Sequence, residues 1–314
     1  MPFTFKPRAF KASIGIASIG LGDKMISIGG DSVMPLCRFD GEGPSRPAVG
    51  ADITDTGFDT TGLPQLAAAY EGATDVAERV RLAAALPGVD FVCLHFEGAD
   101  PNGMNRPVDA CVGDATAAFA SCDKPLVIAG CGNLEKDTAL FTAMAEALTG
   151  ENVLFLSAHE ENYKAVGAAT ALAYGQKVGA ESAVDINLAK QLNVLLTQLG
   201  VPAPSIVMNL GSAAAGYGFE YISSTMDRVK SAALEQNDTM LQMPVITPVA
   251  SETWTVKEAV MPETDMPEWG SQEERGIQME IVTAAACLAS GSDAVILRHP
   301  ASIETISALI AALM

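Results

Sequence analysis

His95, Glu97 and Asp100 fall within six positions of one another, where the apolar run FVCLHF breaks into EGADPNGMN. An imidazole and two carboxylates on one loop could relay a proton or hold a polar ligand, and turn formation alone requires fewer polar groups. A second polar cluster, His159-Glu160-Glu161-Asn162, opens a helical stretch, where acidic residues also favour the positive end of the helix dipole. His299 follows Arg298 near the C-terminus. No H-x-H or H-x-x-x-H pair joins the three histidines, so hydrogen-bonded histidines lining a pocket are expected in preference to a metal site. No Ser-His-Asp or Cys-His arrangement can be assembled, and there is no G-x-S-x-G elbow. GIASIGLGD and GCGNLEKD lack the G-K-[ST] of a P-loop and the third glycine of a dinucleotide fingerprint, so their glycines are assigned to tight turns.

The cysteines narrow the chemistry further. Cys37, Cys93, Cys111, Cys122, Cys131 and Cys287 form no C-x-x-C pair and have no histidine at zinc-finger spacing. Free thiols are expected, and any redox centre would sit on a partner. The net charge of −19, from 38 Asp and Glu against 19 Lys and Arg, repels phosphate backbones and anionic lipid, so neither nucleic acid nor a membrane surface is expected as a partner. No run of 18 apolar residues is present, and MPFTFKPRAFK has neither the apolar core nor the cleavage pattern of a signal peptide, so a cytoplasmic protein is expected.

These candidate groups must be carried by something, and the chain shows a regular alternation of short apolar runs with stretches of helical periodicity. Strands are predicted at 47–53, 89–96, 125–130, 153–157, 177–181, 205–210, 244–249 and 293–298. Asp185 is placed to cap a helix with apolar residues at Leu188, Leu192, Leu195, Leu196 and Leu199, and Ser271-Gln-Glu-Glu274 reads as a capping box. Eight strand–helix units match a TIM (β/α)8 barrel, whereas an open doubly wound sheet would leave units unused. The expected organisation is an N-terminal β-hairpin (13–30) and entry loop within 1–46, followed by a barrel over 47–314. Binding groups then belong on the loops after the strands: Asp52, His95, Glu97, Asp100, Asn133, His159, Asn162, Asp185, Asn209 and His299, with Trp254 and Trp269 on a long loop (250–270) after the seventh strand.

The stretches GGDSVMPLCRFDGEGPSRPAVG, GADPNG, GCGNLEKD, ENYKA, DINLAKQLN, GYGFEY, MPVI, WTVKEA, WGSQEERG and RHPASI occur in this order from Gly29 onward. Together they resemble the family of the corrinoid iron–sulfur protein small subunit and its archaeal counterpart, the delta subunit of acetyl-CoA decarbonylase/synthase. The resemblance implies a TIM barrel paired with a large subunit that carries a [4Fe–4S] cluster and a cobalamin domain. It implies that the corrinoid lies between that domain and the upper face of this barrel. A methyltransferase acting on a methylated tetrahydropterin and the acetyl-CoA synthase/CO dehydrogenase are the further partners implied. His95, Glu97, Asp100, Asn133, His159, Asn162, Asp185, Asn209, Gly216, Tyr217, Gly218 and His299 are then the candidates to face the corrinoid. The sequence departs from the family at Asn209-Leu210-Gly211-Ser212-Ala213-Ala214-Ala215, where Asp-Pro and a Gly-Gly-rich turn are usual; Gly216-Tyr217-Gly218 is kept. Two other readings remain beside it. One is a pterin-binding barrel methyltransferase using Asp52, Asn133, Asp185, Asn187 and Asn209; the other is a scaffold without corrin contact.

Overall fold

The computed structural model describes residues 10–34 and 46–314. Most of MPFTFKPRAFK, Cys37 and the centre of GGDSVMPLCRFDGEGPSRPAVG lie outside the described residues. The first pair of strands, β1 (Ile16–Ile19) and β2 (Ile26–Gly29), forms an antiparallel hairpin in which Ile16 pairs with Gly29. Eight parallel strands follow: β3 (Ala48–Thr54), β4 (Phe91–His95), β5 (Leu126–Ala129), β6 (Leu154–Ala158), β7 (Lys177–Glu181), β8 (Ile206–Asn209), β9 (Ile246–Pro248) and β10 (Ala294–Leu297). They pair in sequence order, β10 pairs with both β3 and β9, and a parallel bridge from Met208 to Val245 joins β8 to β9. The sheet therefore closes into the expected barrel, each strand within three residues of its predicted position.

The helices α1 (Pro64–Ala69), α2 (Val76–Ala84), α3 (Val108–Ser121), α4 (Leu134–Ala147), α5 (Tyr163–Gly167), α6 (Ile186–Leu199), α7 (Phe219–Glu235), α8 (Val249–Thr253), α9 (Lys257–Val260), α10 (Gln272–Ser290) and α11 (Pro300–Leu313) surround it. Their starts are written in the sequence. Asp185 accepts hydrogen bonds from Asn187 N and Leu188 N, Ser271 from Glu274 N, and Asn133 from Lys136 N, each satisfying amides that have no partner inside the helix. The stretch 250–270, expected as one long loop, instead folds into most of α8, all of α9 and a 3-10 turn at Pro267–Trp269. Ser251 and Thr253 there bond back to the carbonyls of Pro248 and Val249, giving α8 local hydrogen bonds that a periodicity search over so few residues does not detect.

Every residue of β3 is buried, because a barrel strand packs inward and outward at once. Val49, Ala51 and Ile53 belong to the large core under the helices. Ala48, Phe91, Cys93, Val127, Leu154, Leu156, Val207, Ile246, Ala294 and Ile296 form a second core inside the barrel, joined by Ala17, Ile19 and Ile28 of the hairpin. The hairpin thus plugs the N-terminal end. Gly50 makes room for this interior: a Cβ there would lie 2.2 Å from the Phe91 ring. Toward the C-terminal end the inward positions turn polar, and that change positions the site.

Candidate functional site

The two-residue period of the strands sends Asp52, His95, Ser157, Glu181 and Asn209 to the mouth of the barrel, where they line a pocket of about 300 Å³ with His159, Gly211 and Glu252. Asp52 is buried, and its Oδ2 accepts from Arg298 Nε at 3.0 Å and Nη2 at 2.7 Å. The Arg298 guanidinium lies 4.8 Å from the Phe58 ring centroid and 3.8 Å from Glu97, whose carboxylate is also 3.5 Å from His95 Nδ1. Across the pocket, Asn209 Nδ2 donates to Glu181 Oε2 at 2.9 Å and Ser157 Oγ at 3.1 Å, and His159 Nε2 is 3.8 Å from Glu181. Burial and the nearby Glu181 push the Glu252 carboxyl above its ordinary value. The pocket has more acceptors than donors, and Asp52 in its wall is already paired with Arg298.

The backbone beside Glu181 is strained. Ala183 (φ 42°) and Val184 (φ 68°) both adopt left-handed conformations, which a β-branched residue rarely does. Val184 N donates to Leu210 O, and Ser182 N to Asn209 O, so the loops after β7 and β8 hold each other in place. Gly211 (φ 84°) packs against Ala183 Cα at 3.6 Å from where its own Cβ would stand. Strain of this kind persists only where surrounding contacts over-determine it, and it gathers at functional sites.

The EGADPNGMN loop is held by a separate pairing. Asp55 Oδ1 accepts from Gly98 N at 2.8 Å, Asp55 Oδ2 pairs with Arg106 at 2.6 Å, and Arg106 reaches Asp114 at 2.6 Å. Asp100 turns away from the pocket and accepts from Asn102 N at 2.9 Å, closing the turn. Asn133 and Asp185 cap α4 and α6. Asn162 accepts from His159 N at 2.8 Å and donates to Thr138 Oγ1 at 3.2 Å. Gly216, Tyr217 and Gly218 form the turn into α7, with the Tyr217 ring half exposed and its hydroxyl bonded to Glu258. Of the expected residues, the fold brings Asp52, His95, His159 and Asn209 into the pocket wall, with Glu97 at its edge.

His299 departs from the expectation of three histidines on one face. It is fully buried, stacked on the buried Trp254 with centroids 5.8 Å apart. Its Nδ1 accepts from Ala301 N at 3.2 Å to cap α11, so Nε2 carries the proton and donates to Glu273 Oε1 at 3.1 Å. Glu273 Oε1 also accepts from Gln65 N and Leu66 N at the start of α1. Neighbouring Glu280, with its carboxyl pushed up by burial, accepts from Arg298 N and His299 N. These groups join α1, α10 and α11 beneath the mouth. Trp269 lies on the outer surface.

Sequence reasoning passed over Arg298, Glu181, Glu252 and Ser157. A signal existed for Glu181, which follows Gly179 at the two-residue spacing of an inward strand position. Burial pushes the thiols of Cys93 and Cys131 up, the latter to about 12, so the two cysteines at the mouth are neutral thiols rather than nucleophilic thiolates. Among the described residues, the mouth has the composition of a binding surface: polar and largely self-paired.

Residues 16–309 match the family model described as the CO dehydrogenase/acetyl-CoA synthase delta subunit. The acetyl-CoA decarbonylase/synthase complex subunit delta of Archaeoglobus fulgidus is 31% identical over 296 residues, covering 91% of this chain and 64% of that protein. The subunit delta 1 of Methanosarcina thermophila is 30% identical, covering 91% and 66%, and the subunit delta of Methanothermobacter thermautotrophicus is 31% identical, covering 95% and 75%. The chain therefore spans just under two-thirds of the length of the first two relatives. Among solved structures, dihydropteroate synthases from Xanthomonas albilineans (TM-score 0.56, 12% identity, covering 95% of this chain and 98% of that one) and Thermus thermophilus (TM-score 0.54, 11% identity, 95% and 100%) share the barrel fold.

Proposed function

The chain belongs to the CO dehydrogenase/acetyl-CoA synthase delta subunit family, and from that premise we propose that it is the small subunit of a corrinoid iron–sulfur protein. In this reading the barrel mouth covers a cobalamin carried with a large subunit, which also holds the [4Fe–4S] cluster. The pair serves methyl transfer between a methylated tetrahydropterin, through its methyltransferase, and acetyl-CoA synthase. The observation that carries the reading is the polar, self-paired mouth at the C-terminal end of the barrel. A pocket of about 300 Å³ is at the lower limit for a small ligand, so an amide-fringed macrocycle would lie across the mouth and not inside it.

The residues present fit such a ligand. Glu97, Glu181 and Glu252 offer acceptors to primary amide N–H groups, and the imidazoles of His95 and His159 offer donors or acceptors to the same fringe. When bound, the corrinoid supplies a cobalt centre that takes up and releases a methyl group. The part of this chain is to hold and to let go. Asp52 with Arg298, and Asp55 with Arg106, are paired within the barrel, so lifting the cover strands no buried charge. That suits a cap that must open to different partners in each cycle.

The test is anaerobic co-purification with the large subunit, reading corrin absorbance and methyl transfer together. Glu97→Gln with Glu252→Gln should release corrinoid or slow methyl transfer at least several-fold. Unchanged retention and unchanged transfer would overturn the reading. A second reading is favoured by the enclosed acceptors Asp52, Glu181 and Asn209: a barrel that binds a pterin itself. Tight binding of a methyltetrahydropterin by the isolated chain would support it.

A further inference from the structure

Arg298 follows β10 and meets acidic groups from the next two strands round the barrel: Asp52 lies in β3, and Glu97 follows β4. Both of its bonds to Asp52 end on Oδ2, from Nε at 3.0 Å and Nη2 at 2.7 Å. The same Nη2 lies 3.8 Å from Glu97 Oε1, the oxygen that His95 Nδ1 also approaches at 3.5 Å. The second oxygen of each carboxylate is therefore not engaged by the arginine. Arg298 is itself fixed on several sides. Its amide donates to Glu280 Oε1 at 2.6 Å, and its guanidinium lies over the Phe58 ring. Asp52 and His95 line the mouth pocket, whereas Arg298 lies with Phe58 in a neighbouring cleft. Its side chain is 15% exposed and that of Glu97 44%, so the arginine belongs to the wall and the glutamate to the surface above it. Two carboxylates sharing one guanidinium would repel each other without it. A planar fork holds both in one geometry, which the point charge of a lysine does not.

We propose that Arg298 is a positioning residue of the mouth, which acts through Asp52 and Glu97. It fixes the two carboxylates relative to each other, so that the oxygen it leaves unbound on each can receive an N–H donor of a ligand. In the proposed function those donors are primary amides of the corrin fringe, so this inference rests on that reading. The chain's own cation sets the geometry of its acceptors, and the ligand meets the acceptors already ordered.

A double-mutant cycle on the complex co-purified with the large subunit tests it, read as the rate at which corrin absorbance leaves the protein on anaerobic dilution. Arg298→Lys keeps a cation beside Asp52 and loses the fork, and should speed release about fivefold or more. Glu97→Gln should speed release several-fold in wild type, but by less than about twofold once Arg298→Lys has freed Glu97. Glu181→Gln, across the pocket and without a partner in common, should multiply with Arg298→Lys. Where Arg298→Lys does not fold, Asp52→Asn with Arg298→Gln leaves no buried charge and takes its place; Glu97→Gln should again add little. If the effects of Arg298→Lys and Glu97→Gln multiply, Arg298 does not act through Glu97. The positioning role is then overturned and the cap reading stands. The same holds if Glu181→Gln speeds release while Arg298→Lys leaves it at the wild-type rate. If none of the three variants alters release, both readings fall.

Discussion

The two ends of the barrel are built on opposite principles. At the N-terminal end, Ala17, Ile19 and Ile28 of the hairpin close a dry interior, and a charged pair there is fully enclosed: Lys230 Nζ meets Asp293 Oδ2 at 2.6 Å, and Asp293 also accepts from Val245 N at 2.7 Å. At the C-terminal end, the inward residues are acidic and polar, one carboxyl is pushed up by burial and then by Glu181, and two consecutive non-glycine residues take left-handed conformations. The same strands run through both ends, so the difference lies in the last one or two inward residues of each. Apolar packing is concentrated where the strands begin, and polar groups where they finish. That division lets one end change without unfolding the other.

The largest expected effect is at the closed end. Lys230→Ala leaves Asp293 buried without its cation and should cost about 3–5 kcal/mol in chemical denaturation. Replacing both partners together, Lys230→Met with Asp293→Asn, should recover most of that loss. A loss under about 1 kcal/mol for Lys230→Ala would mean that water reaches this end and the contrast is weaker than drawn. Next comes the plug: Ile28→Ala opens a cavity in a packed interior and should cost about 2–5 kcal/mol, without altering anything that binds at the mouth.

The mouth should behave in the reverse way. Glu181→Gln keeps an acceptor for Asn209 and removes the charge facing Glu252, so stability should move by no more than about 1 kcal/mol. Corrinoid retention in the co-purified complex should fall several-fold. A large stability loss with intact retention would make Glu181 a structural residue and erase the distinction between the ends.

The closed end was easy to foresee and the mouth was not. Runs such as VDFVCLHF and SIVMNL announce strands because both faces are buried, and the caps at Asp185 and Ser271 announce helices because few residue types satisfy free amides. The hairpin was visible in SIGIASIGLGDKMISIGG. The polar mouth was legible at His95, His159 and Asn209, each at a strand end. It was not legible at Arg298, whose role depends on Asp52, 246 positions away. Nor could spacing reveal that His299, next to Arg298, turns inward to Glu273 and Trp254. Alternation gives the face to which a side chain points, but partnership across the barrel depends on closure.

The smallest effects are in the pH profile, and the two regions around β10 should give opposite signs. Burial depresses the His299 pKa below its ordinary 6.5, so the folded state resists protonation there. The stability this contributes is present above pH 6.5 and is lost as pH falls from 6.5 toward the depressed value. Glu252 is the reverse: its raised pKa contributes stability below pH 4.5 that is lost as pH rises toward the raised value. His299→Asn keeps an oxygen to cap α11 and should be less stable at pH 7, but its deficit should shrink as pH is lowered to 5.5. Glu252→Gln should gain stability relative to wild type as pH rises above 4.5, because the repulsion from Glu181 no longer develops. Thermal unfolding of the three proteins over this range separates the cases. If both differences have the same sign, the buried histidine and the mouth carboxylate share one environment, and the boundary between structural interior and binding surface lies higher in the barrel than Arg298.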